Sequence, residues 1–95
     1  MIMLQDASST RRTADRVWQA SALARYAKER RSQLGLTVAE AAELSGMQIC
    51  EWAALEDGWV PAESMIRPIA QTLEVRWPDL HLLAFFSRSA QQHVA

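Results

Sequence analysis

The chain has 95 residues, about half of them hydrophobic, and a net charge of −1, which indicates one folded domain and excludes a disordered chain. No apolar run approaches the roughly 18–20 residues of a membrane span, and the N-terminus has no charged-then-apolar signal pattern, so we expect a cytoplasmic protein. The single cysteine excludes an internal disulfide and a cysteine-based zinc site.

Charge is distributed unevenly along the chain. From Arg11 to Arg31 there are seven basic and two acidic residues, whereas from Ser32 to Ile66 there are six acidic residues and no basic one. Such polarity indicates more about function than the net charge does. One interpretation is a set of solvated helix faces, and the other is that the basic segment of the first helix contacts phosphates.

The N-terminal half predicts a tail and two helices. Residues 1–13 lack periodicity and are expected to form a flexible tail. Apolar residues at spacings of three and four predict a long helix over 14–33, ended by a glycine at position 35. Thr37 and Glu40 have the spacing of a capping box, in which each side chain bonds a free N–H at a helix start. They predict a second helix to about Leu44, followed by a tight turn at Gly46.

The C-terminal half predicts three more helices. The first covers about 48–56 and closes at Gly58. Ser64 is expected to cap the next, over about 65–74, and Pro78 to open the last, which ends near Arg88. Residues 89–95 are expected to be a C-terminal tail. Because no stretch alternates with period two, the chain is predicted to be all-α, with short connections between five helices.

Several of these features fall at the spacing of a known family. The stretch LARYAKERRSQLGLTVAEAAELSG, then LEDG, Pro61 and IAQTLEV, resembles the lambda-repressor-like (XRE-type) helix-turn-helix domains over about residues 23–83. The resemblance implies a five-helix lambda-repressor-like helix-turn-helix domain over 14–88, with an extended N-terminal helix. It also implies a pair between Arg31 and Glu56 that ties the first helix to the end of the third. The implied function is that of a small transcription regulator that binds DNA.

The positions that would face DNA, or a protein partner, depart from the family pattern. The family has polar or basic side chains at the start of its second helix, along the outer face of its third and in the loop that follows. Here the corresponding residues are Thr37, Val38, Gln48, Ile49, Cys50, Glu51, Ala53 and Trp59. None is Lys or Arg, and Gln48 alone has the donor and acceptor groups that suit a base edge.

DNA affinity depends largely on cations that neutralise phosphates. The candidates for phosphate contacts are Arg25, Lys28 and Arg30. We therefore expect weak, salt-sensitive and poorly selective DNA binding. Replacing Gln48 by Ala should barely change it, and replacing Glu51 by Lys should strengthen it by removing a repulsion.

The alternative is a helix-turn-helix protein that has lost DNA binding. An apolar outer face on the third helix would suit a protein partner or a dimer contact, and the alternative is that the C-terminal segment of the chain folds over it. Such a chain would act through protein–protein contacts as an antirepressor, an antitoxin-like partner or a regulatory subunit.

The last predicted helix is apolar almost all round, which indicates burial on more than one side. Helix-turn-helix proteins often pair to meet two half-sites, so we expect a homodimer. Its contacts are predicted to be Leu80, Leu82, Leu83, Phe85 and Phe86.

The sequence offers no enzyme chemistry. It has no glycine-rich phosphate loop and no pair of carboxylates placed for acid–base catalysis, so we expect no enzyme activity. Two scattered histidines make no metal site. No metal and no cofactor are predicted.

Overall fold

A computed structural model describes residues 21–92, which form five α-helices and no strand. The helices are α1 Ala22–Gln33, α2 Val38–Ser45, α3 Ile49–Glu56, α4 Glu63–Leu73 and α5 Trp77–Gln92. The all-α prediction is confirmed for this range. The predicted tail at 1–13, the predicted first helix before residue 21, and residues 93–95 lie outside the described residues.

Two predicted boundaries of the C-terminal half are wrong. Ser64 does not cap α4, because the helix already begins at Glu63 and its N-cap is Ala62, whose side chain makes no capping bond. The carboxylate of Glu63 lies in the first turn, where it stabilises the positive end of the helix. The last helix begins one residue before Pro78 and continues past Arg88 to Gln92.

The core lies where all five helices meet. Its fully buried large side chains are Leu23 of α1, Trp52 and Leu55 of α3, Ile66, Ile69 and Leu73 of α4, and Leu80 of α5. Small alanines let the helices approach closely, with Ala27 and Ala41 both fully buried. Burial of this apolar surface is the main force that stabilises the fold.

A buried hydrogen bond joins the two ends of the described chain. The backbone N–H of Leu23, in the first turn of α1, donates to the Ser87 hydroxyl of α5 at 3.3 Å. The first N–H groups of a helix have no partner within it, so Ser87 supplies one from across the core. No helix within residues 21–92 has the length and apolar character to cross a bilayer.

Candidate interaction face on helix α3

The turn between α2 and α3 sets the direction of α3. Gly46 ends α2 with a left-handed backbone (φ 73°, ψ 24°), a conformation that costs glycine little. The N–H of Met47 returns to the carbonyl of Ala42 at 2.8 Å. Only Gly46, Met47 and Gln48 separate the two helices, so the second leaves the turn in a fixed direction.

The side of α3 that faces the core is held in place by packing. Trp52 and Leu55 are fully buried, and Met47 anchors the turn in the core. These are the positions that the helical spacing of the sequence predicts for the core side. The opposite side of α3 carries its exposed residues.

The predicted Arg31–Glu56 pair is formed. Arg31 Nε donates to Glu56 Oε2 at 2.5 Å and Nη2 donates to Oε1 at 2.9 Å, with side chains only 14% and 9% exposed. Arg31 Nη1 also donates to the Leu36 carbonyl at 2.8 Å. This two-pronged geometry ties the end of α1 to the end of α3.

The Glu56 carboxylate is held ionised. Burial raises its pKa, but hydrogen bonds from Arg31 and from the Trp52 indole N–H, together with the charges of Arg31 and Lys28, outweigh burial, so the pKa lies below its usual value. Glu56 is one of the six acids between Ser32 and Ile66, and the positive charge of Arg31 balances its negative charge.

The outer face of α3 is a small apolar surface. Ile49 is 58% exposed, and Cys50 and Ala53 are also exposed. Asp57 follows directly after the helix and is exposed as well. Spacings of four and seven residues place Asp57 on the same side as Ala53 and Cys50. We call these four residues the α3 outer face.

Three residues predicted to face a ligand have roles within the fold. The Glu51 carboxylate accepts the N–H of Gln48 at 2.8 Å and so caps the start of α3. Thr37 and Glu40 form the predicted capping box of α2, at 3.1 Å and 2.9 Å. Val38 is half-buried and packs against the core. Of the predicted positions outside the α3 outer face, Thr37, Gln48 and Trp59 are exposed.

Charges from two helices meet at the C-terminal end of α3, where Arg31 and Lys28 of α1 lie near Glu56 and Asp57 follows the helix. Neither α2 nor α3 has a basic residue in its last turn to offset the negative end of the helix dipole. At the C-terminal end of α3 the exposed Asp57 adds its own negative charge, and it forms no ion pair within residues 21–92. The Asp57 carboxylate would repel a phosphate placed beside it and attract a cation.

The predicted phosphate contacts differ in availability. Arg25 and Lys28 are exposed on α1. Arg30 is engaged, because its Nε donates to the Leu73 carbonyl at 2.9 Å and its Nη1 to the Gln33 amide oxygen at 3.2 Å. Arg30 thereby satisfies a free carbonyl at the end of α4.

The predicted dimer residues of α5 divide between inside and outside. Leu80 is fully buried in the core and Leu83 is half-buried against it, so the assignment of Leu80 to a dimer contact is wrong. Leu82, Phe85 and Phe86 are each more than half exposed, and the two phenylalanine rings contact edge to face. Those three residues are here called the α5 outer face.

Two contacts of α5 were not predicted from the sequence. Arg88 Nη2 donates to the Pro61 carbonyl at 3.0 Å, and Gln91 Nε2 donates to the Gly58 carbonyl at 2.8 Å. Together they fasten the loop that follows α3 to the last turns of α5. Polar residues three apart on one side of an apolar helix were the available signal, but their partners lie about 30 residues away in the chain.

Within residues 21–92 no group of three His, Cys, Asp or Glu side chains is placed to hold a metal ion. Comparisons with protein-family models, curated proteins and solved structures found no match to this chain.

Proposed function

We propose that the chain is a small helix-turn-helix regulator of transcription, of the lambda-repressor-like (XRE) kind. The observation that carries the proposal is the unit α2–Gly46–α3, with its left-handed glycine and its three-residue turn. The Arg31–Glu56 pair, at the positions where the family has one, supports the same assignment.

DNA binding by this unit would be of low selectivity. Gln48 is the one exposed side chain near the start of α3 with hydrogen-bonding groups for a base edge, and a good two-bond base contact gives about 1–3 kcal/mol of discrimination. Phosphate contacts would come from Arg25 and Lys28, which are exposed on α1. Few phosphate contacts give weak binding that salt suppresses further.

A fluorescently labelled duplex of random sequence, titrated with the full chain at low and moderate salt, tests this proposal. Anisotropy should report binding at low salt that is lost near ~0.15 M salt. Replacing Arg25 and Lys28 by Glu should abolish it. Replacing the exposed Arg76, on the link between α4 and α5, is the matched control and should have a smaller effect.

Two results would contradict the proposal in different ways. No binding even at low salt would remove DNA as a ligand. Nanomolar binding to one operator at moderate salt, abolished by Gln48→Ala, would replace weak and unselective binding with direct base recognition.

A second candidate function is protein contact through the α3 outer face. The specific observation in its favour is that Ile49, Cys50 and Ala53 on this face have no side-chain group suited to a base edge, and that the face ends at Asp57. An exposed apolar face with a charged border is typical of a protein-binding surface. The chain would then act as an antirepressor, antitoxin-like partner or regulatory subunit.

Either function is compatible with a homodimer formed through the α5 outer face. From Leu80 to Ser87 there is no Asp, Glu, Lys or Arg. Two copies of Leu82, Phe85 and Phe86 can therefore meet without like-charge repulsion. Light scattering over a range of protein concentrations, on the full chain and on Phe85→Asp, tests the pairing: the full chain should have twice the mass of the variant.

A further inference from the structure

The α3 outer face offers apolar contact in a definite pattern. Ile49 and Ala53 are one helical turn apart on the same side, with Cys50 beside them, and all three are exposed. Their side chains are not needed for the core, because Trp52 and Leu55 supply the buried contacts of α3. An exposed isoleucine flanked by two small side chains leaves room for an apolar side chain of a partner.

The charge at one end of this face limits what can cover it. Asp57 lies at the C-terminal end of α3, where the helix dipole is also negative and the last turn has no basic residue of its own. Arg31 of α1 reaches this end, but its guanidinium is engaged by Glu56. Every charged residue from Ser32 to Ile66 is acidic. A second copy of the same face has no lysine or arginine to place beside Asp57.

We propose that the α3 outer face binds a cationic, amphipathic segment of a partner protein. The segment lays an apolar side chain on Ile49 and Ala53 and places a lysine or arginine beside Asp57. The proposal gives a partner chemistry to the second candidate function and depends on that function. It commits to protein because the same charges that attract lysine and arginine repel the phosphates of DNA.

The chain contains its own reporter for this contact. Cys50 is the single cysteine of the sequence, it is exposed, and it lies within the proposed surface. The rate at which its thiol reacts with a neutral aromatic disulfide, followed by absorbance of the released thione, measures access to the face. The full chain is used without a label.

The probe is a short synthetic amphipathic helix of Lys, Leu and Ala without cysteine, and the control probe is its twin with Glu at each Lys position. The cationic peptide should slow the reaction of Cys50 several-fold at low salt and less at high salt, because screening weakens attraction between exposed charges. The acidic twin should leave the rate unchanged.

Variants locate the contact. Ile49→Ser and Asp57→Asn change exposed residues, so the fold should be preserved, and each should reduce protection of Cys50 by the cationic peptide. Leu44→Ser removes a comparably exposed apolar side chain from α2 and should leave protection unchanged. Circular dichroism confirms that each variant is folded.

Four outcomes would overturn the proposal. They are no protection of Cys50, equal protection by both peptides, full protection retained in Ile49→Ser and Asp57→Asn, and protection of Cys50 by duplex DNA at the same salt. The last would assign the face to DNA. Absence of DNA binding in the anisotropy titration leaves the proposal intact, so the two failures are distinguishable.

Discussion

The outer faces of α3 and α5 are both apolar and exposed, yet they differ in the charges around them. Asp57 lies at one end of the α3 outer face and no basic residue lies near it in the sequence, whereas Leu82, Phe85 and Phe86 belong to a stretch without acids, lysines or arginines. A neutral apolar face can pair with its own copy, while a face that ends at a carboxylate is better suited to a cationic partner. We therefore propose that charge at the border, more than apolar area, distinguishes the partners suited to the two faces.

The largest expected effect separates the two sides of α5. Leu80→Ala should lower the free energy of unfolding by about 2–5 kcal/mol because Leu80 is fully buried. Leu82→Ala, the same substitution at a half-exposed position, should change the stability of the single chain little and weaken self-association instead. Urea unfolding at low protein concentration and light scattering at high concentration measure the two effects. Equal losses of stability would show that Leu82 is buried within one chain.

The next effect concerns the Arg31–Glu56 ion pair, which ties the end of α3 to α1. Glu56→Ala should cost about 3 kcal/mol, because it leaves the Arg31 charge partly buried without its partner. The adjacent acid is the matched control: Asp57→Ala, at an exposed position, should change stability by no more than about 0.5 kcal/mol. If both variants unfold at the same urea concentration as the parent chain, the pair contributes nothing to stability.

Lowering the pH should weaken the Arg31–Glu56 pair, whereas the α5 outer face consists of Leu82, Phe85 and Phe86, which do not ionise. The pKa of Glu56 is lowered in the folded state, so its contribution is fully present above the pKa of the unfolded chain and is lost as pH falls through the folded value. Urea midpoints should therefore decline below about pH 4, the ordinary range of a glutamate pKa. In Glu56→Gln the decline should be smaller. An identical pH profile in the variant would place the acid sensitivity elsewhere.

The smallest effect is expected when a lysine replaces an acidic residue of α3 or of its C-terminal end. Asp57→Lys should raise stability by about 0.3–1 kcal/mol, since a cation suits the C-terminal end of α3, and it should also strengthen DNA binding. Glu51→Lys also removes a repulsion between the face and DNA phosphates, but it is less favourable. Glu51 accepts the N–H of Gln48 at the start of α3, and loss of this cap costs about 1 kcal/mol. Thermal unfolding and anisotropy compare the two variants. Stronger DNA binding by neither would mean that this face does not approach phosphates.

Local features could be predicted from the sequence because their partners are neighbours in the chain. The Thr37–Glu40 capping box and the turn at Gly46 depend on residues three or four apart, and both are present. The start of α4 was predicted wrongly, because Ser64 has the chemistry of a cap but the helix already begins at Glu63. A cap signal specifies a possible start, and packing of the helix selects the actual one.

Contacts between distant segments were harder to predict. The residues of α5 are apolar on nearly all sides, so periodicity alone could not decide that Leu80 lies inside and Leu82 outside. Arg30 was predicted to be available for phosphate, yet its long side chain reaches the carbonyl of Leu73 at 2.9 Å. The Arg31–Glu56 pair was implied by resemblance to a family, since nothing local joins residues 25 positions apart.

The caps on α2 and α3 have a consequence for the rate of recognition. Glu40 and Glu51 each satisfy a free N–H at the start of their own helix, so neither start depends on a ligand to complete it. The surface is thus preorganised, and the conformational entropy of its backbone is lost during folding rather than on encounter. A partner would therefore bind a surface whose backbone does not rearrange. Its association rate should be governed by diffusion, orientation and long-range attraction, without a slow ordering step.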